Sequence, residues 1–129
     1  MAYPVLYDPT KHVILTAIMT DVATASSAWI QCPVDGYIVE AGSIIETATT
    51  AAAAAITVEI NGTAVTGLSW TIADASAAGA VDSDTVPLHT ATALVKPGDS
   101  IEFISDGGGD TASVTNFYVV IRKIGAGAN

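Results

Sequence analysis

"AITVEINGTAVTGLSW", residues 55–70, is the stretch that decides the fold. Ile56, Val58 and Ile60 alternate with Thr57 and Glu59, the period-two pattern of a strand with one wet face. Asn61-Gly62 then interrupts the alternation. Asn-Gly between two such runs is the preferred pair for a two-residue hairpin, because both central positions need positive φ. An antiparallel sheet follows from this one turn.

On either side of the hairpin the chain has the same character. "HVILTAIMT" (12–20), "SAWIQCPV" (27–34) and "GYIVEAGSIIET" (36–47) read as strands, with a turn around Asp35-Gly36. In the last of these the alternation breaks near Gly42-Ser43, which predicts a bulge or bend. "ADASAAGAVDSDT" (73–85) has no periodicity and predicts a long surface loop. "VPLHTATALV" (86–95), "IEFIS" (101–105) and "ASVTNFYVVIRKI" (112–124) complete the set. The alanine run 51–55 is short and leads into alternation, which favours a loop or strand entry over a helix. With 16 Thr, 13 Val and 13 Ile, the composition suits a pleated surface. The expectation is an all-β, single-domain, antiparallel jelly roll or β-sandwich of about eight strands. It divides into an N-terminal arm (1–12), the β domain (13–124) and a flexible tail (125–129).

Charge narrows the partners. Thirteen acids against four bases give a formal charge of −9, which repels phosphate backbones and anionic membranes. No nucleic acid and no membrane partner is expected, and no stretch approaches the ~20 apolar residues of a spanning helix. The start "MAYPVLYDPTKH" lacks a basic and apolar signal pattern, so synthesis in a cytosol is expected.

Candidate chemistry is sparse. "VKPGDSIEFISDGGGD" (95–110) is rich in carboxylates and glycines. Pro97 and Gly98 predict a turn capped by Asp99, and "DGGGD" predicts a glycine turn. Asp106, Asp110, Asp82 and Asp84 are the oxygen donors a calcium ion could use, but the spacing does not match an EF-hand. His12 and His89 stand 77 residues apart with no companion at metal-ligand spacing. The single Cys32 is expected to pack as a small apolar residue, and Trp29 and Trp70 to anchor the core. No catalytic, cofactor-binding or metal residues are assigned, and no enzyme activity is expected.

Two features call for a partner surface. The arm carries Tyr3, Pro4, Val5, Leu6 and Tyr7, which need something to dock on. Several strands are also apolar on both faces. Val13, Leu15, Ala17 and Met19 oppose Ile14 and Ile18. Phe117, Val119 and Ile121 oppose Tyr118 and Val120. Tyr37, Val39 and Ile45 oppose Ile38 and Ile44. If one face fills the core, covering the other favours a permanent oligomer.

The arm, "IQCPVDGYIVEAG" (30–42), "VKPGDSIEFISDGG" (95–108) and the last strand "TNFYVVIRKI" (115–124) together resemble small jelly-roll structural proteins of tailed bacteriophages. The likeness is greatest to capsid decoration (cement) proteins and related head-fibre domains, and covers roughly residues 12–124. It implies a homotrimer on the outer capsid surface of the virion, bound to the major capsid protein and stabilising the head. It places the arm residues Tyr3, Pro4, Val5, Leu6 and Tyr7 at the capsid or subunit contact. The alternative is a receptor- or glycan-binding module of a head or tail fibre, using loops 73–85 and 106–110.

Overall fold

A computed structural model describes residues 8–109 and 111–124, so the expectations placed on Tyr3–Tyr7, Asp110 and the tail 125–129 fall outside the described residues. Among the described residues nine strands form: β1 (His12–Met19), β2 (Ser26–Gln31), β3 (Gly36–Ile45), β4 (Ala54–Ile60), β5 (Thr63–Ile72), β6 (Val81–Thr85), β7 (Leu94–Val95), β8 (Ser100–Ser105) and β9 (Thr115–Lys123). They build two antiparallel sheets. One runs β1-β9-β3-β6, with the two-residue β7 also on β3; the other runs β2-β8-β4-β5. Most successive strands cross from one sheet to the other, and β4–β5 is a local hairpin. That interleaved order is the strand order of a jelly roll.

The hairpin forms as its sequence dictates. Asn61 and Gly62 both take positive φ, 50° and 84°, and Ile60 pairs with Thr63 across the turn. Ile56, Val58 and Ile60 face the core while Ala55 and Thr57 are exposed. Between the sheets, Phe103 stacks on Phe117 at 5.1 Å, and Trp70 tilts against Phe117 at 6.2 Å. The Trp70 indole N–H is satisfied there by Ser43 Oγ at 2.9 Å. A buried indole needs such a partner, and Ser43 on β3 supplies it from the opposite sheet.

The end of the sandwich bearing the hairpin is knitted by Asp99 and Asn61. Asp99 Oδ2 accepts from the Lys96 N–H and Oδ1 from the Asn61 side chain, both at 2.9 Å. Gly98 has φ +93°, as the Pro-Gly turn requires. At the other end the glycine loop packs tightly. Gly107 has φ +76°, and a Cβ on it would collide with the Ala25 backbone. Asp106 Oδ1 accepts from Ala55 N–H at 3.0 Å and Gly108 N–H at 2.8 Å. The carboxylate-rich stretch is thus a strand between two turns, and Asp99 and Asp106 bond backbone.

Five local expectations are corrected. Residues 86–95 are not one strand: the Thr90 N–H and hydroxyl both close on Pro87 O, His89 takes φ +71°, and only β7 pairs. Part of the expected loop 73–85 is β6, recruited by the open edge of β3 despite its Asp-Ser-Asp sequence. The irregularity of β3 lies at Ile38–Glu40, where Val39 is the extra residue and its carbonyl is taken by Val86 N–H at 3.1 Å. The bulge reverses the alternation, so Ile38 and Ile45 share the core while Tyr37 and Ile44 share the outside, contrary to the simple odd–even grouping. Trp29 is 61% exposed and anchors nothing in the core.

Candidate docking surface

The two outer faces of the sandwich differ in kind. On the β2-β8-β4-β5 sheet the outward rows are mostly polar: Ser27, Ile104, Thr57 and Ser69 in one, Trp29, Glu102, Glu59 and Ala64 in the next. This is the wet face an antiparallel sandwich ordinarily presents.

The β1-β9-β3-β6 sheet has an apolar outside. Strand register aligns Ile18, Asn116, Ile44 and Val81 in one row. Thr16, Tyr118, Gly42 and Ser83 form the next, then Ile14, Val120, Glu40 and Thr85. Ile18 is 64% exposed, Val81 58%, Ile14 53% and Ile44 38%. Val120, midway along the face between Ile14 and Glu40, is buried. Covering an exposed isoleucine or valine contributes about 1–2 kcal/mol, so this face offers several kcal/mol to a partner.

One polar device sits in the middle. Tyr118 Oη donates to Glu40 Oε2 at 2.7 Å. Gly42 makes room: a Cβ there would lie 2.6 Å from Tyr118 Oη. Burial, and then the Glu40 carboxylate, push the Tyr118 phenol up to about 12. The pair sets one carboxylate, held by a neutral phenol, between the isoleucines.

At the hairpin end the face closes into a groove of about 460 Å³. Val39, Val86, Pro87 and Leu88 give it apolar walls, with His12, Thr85 and Arg122 beside them. His12 and Arg122 are cross-strand partners, Arg122 is opposite Tyr37, and the His89 ring packs edge-on to Tyr37 at 5.0 Å. The fold therefore gathers the two distant histidines at one end of one face. Among the described residues no group of three or more His, Cys, Asp or Glu is placed to hold a metal ion. Among the described candidates for calcium, Asp82 and Asp84 lie on β6 while Asp106 caps its own turn, and the three are not brought together. Cys32 is buried, donates to Val34 O at 3.1 Å, and burial raises its thiol pKa.

The residues Ile14, Ile18 and Ile44 were legible as a second apolar face. Val81, Leu88 and the Tyr118–Glu40 pair were not. Val81 sits in a segment without alternation, and Glu40 meets Tyr118 only through cross-strand register, which no local pattern carries. No protein-family model and no curated protein matches the chain.

Proposed function

We propose that the protein is a structural component of a virion, an oligomer that binds the outer surface of a bacteriophage capsid and stabilises the head. The observation that carries this reading is the apolar outer face of the β1-β9-β3-β6 sheet, set against a mostly polar outer face on the other sheet. A surface of that kind is built to be covered by protein. The sequence resemblance to decoration proteins supplies the partner class, the major capsid protein, and the homotrimeric form. The mechanism is multivalent: each oligomer holds several lattice sites together, and weak contacts sum into slow release. The arm, with Tyr3, Pro4, Val5, Leu6 and Tyr7, is the capsid or subunit contact in this reading. No catalytic step is part of it.

The test mixes purified protein with undecorated capsids and measures bound copies and the temperature at which the shells fail. Saturable binding that raises that temperature is expected. Absence of binding, with the chain folded, overturns the reading. Deleting residues 1–7 is expected to weaken binding without unfolding the domain.

A second reading has one observation in its favour. The exposed Trp29 stands in a row with Glu102 and Glu59, an aromatic platform beside hydrogen-bond acceptors. That arrangement suits a glycan on a fibre module. Glycan-array binding abolished by Trp29→Ala would promote it over the first.

A further inference from the structure

We infer that β1 is a strand-pairing edge for a second copy of this chain, so that two β1 strands lie antiparallel and join two sheets into one. The inference deepens the structural reading by naming which element makes a subunit contact, and it rests on that reading only for its biological setting.

The four sheet edges are not equivalent. On β5, Asp84 Oδ2 takes the Ser69 N–H at 3.2 Å and Thr92 Oγ1 takes the Thr66 N–H at 2.8 Å. On β6, Asp82 and Asp84 turn inward opposite Ser43 and Ala41, a charge arrangement that discourages pairing. The six-residue β2 lies at the same corner as β1. Among the described residues, β1 has no such protection. It pairs with β9 over all eight residues without a bulge, and holds no proline and no carboxylate. Among the described residues, nothing hydrogen-bonds its far edge from Val13 to Met19. Long, flat, apolar edges of this kind recruit another strand.

Burial says the same. Val13, Leu15 and Ala17 face the interior yet are only half-buried, as is Ile30 of β2. Ile14 and Ile18 are exposed on the outside. This flank is therefore open on both faces.

Charge identifies the occupant and its direction. All four bases lie at the hairpin end: Lys11, Lys96, Arg122 and Lys123, accompanied there by Asp8, Asp35 and Asp99, with the Glu59–Glu102 pair one row further in. The opposite end carries Asp21, Glu46, Asp74 and Asp106 without a base among the described residues. A second copy laid antiparallel brings the end that holds every base of each to the acidic, base-free end of the other. A parallel copy would set acidic end against acidic end. Continuity of the two faces requires outward residues to pair with outward residues. Among the registers that do so, one places Ile14 opposite the second copy's Ile18 and Thr16 opposite itself, so that each exposed isoleucine meets another. It buries both exposed isoleucines in cross-strand pairs over ~23 Å of strand.

The contact is two-fold. It gives a dimer or, if a three-fold contact also operates, an assembly of twice three copies. Three full-length variants test it, each first checked for β-sheet circular dichroism. Thr16→Lys sets two ammonium groups face to face and is expected to halve the mass seen by sedimentation. Thr57→Lys, on the polar sheet, is expected to leave it unchanged. Thr16→Cys is expected to form a reductant-sensitive dimer on mild oxidation, with Cys32 buried and silent. A three-copy mass indifferent to Thr16→Lys, or a folded Thr16→Cys chain that does not cross-link, overturns the β1 contact while leaving the structural reading intact. A monomer at all concentrations overturns both.

Discussion

Tyr118 concentrates the chemistry of the outer face at one residue. Its phenol is raised to about 12 by burial and by the Glu40 carboxylate. The folded chain thus holds this proton more tightly than an unfolded one, whose value is 10.0. Its contribution to stability is full below pH 10.0 and declines as pH rises toward about 12. In Tyr118→Phe that alkaline decline should shrink, and the phenolate absorbance titrating near pH 12 should disappear; an unchanged titration would place Tyr118 in water. Gly107 makes a second residue-scale test. With positive φ and the Ala25 backbone against its Cα, Gly107→Ala should cost about 2–4 kcal/mol in urea denaturation. Much at this scale was readable beforehand. Asn61-Gly62 and Pro97-Gly98 state their turns, because their conformations are local. The exposure of Trp29 was not readable, since a tryptophan in an alternating run does not say which face is wet.

Among the elements, the strands differ in how their edges are handled. β6 and β5 share a guard: Asp84 both turns inward on one and caps a free N–H of the other. Asp84→Ala should therefore lower stability only slightly, by about 1 kcal/mol, while raising the tendency to aggregate, followed by light scattering against concentration. Equal scattering from variant and parent would show that the guard lies elsewhere. β1 was legible as a doubly apolar strand because no long-range information was needed to see its pattern. β6 was not, because Val81–Thr85 becomes a strand only when the edge of β3 captures it. The same holds for the bulge at Val39: one added residue exchanged the faces of β3, and nothing in its own sequence announces it.

At the scale of the whole molecule, two asymmetries stand out: one wet and one apolar outer face, and bases confined to one end of a chain with charge −9. The sandwich class followed from alternation and turn spacing, and the jelly-roll order agrees with it. Which outer face would be left bare depended on strand register, which no local pattern carries. A chain built this way should associate through the apolar sheet. Salt should strengthen the association, because screening relieves the repulsion between chains of charge −9. Sedimentation velocity on the full-length protein at micromolar concentration tests the central claim most directly. The account predicts a stable species of several copies; a single 13.0 kDa species across the concentration range would contradict it.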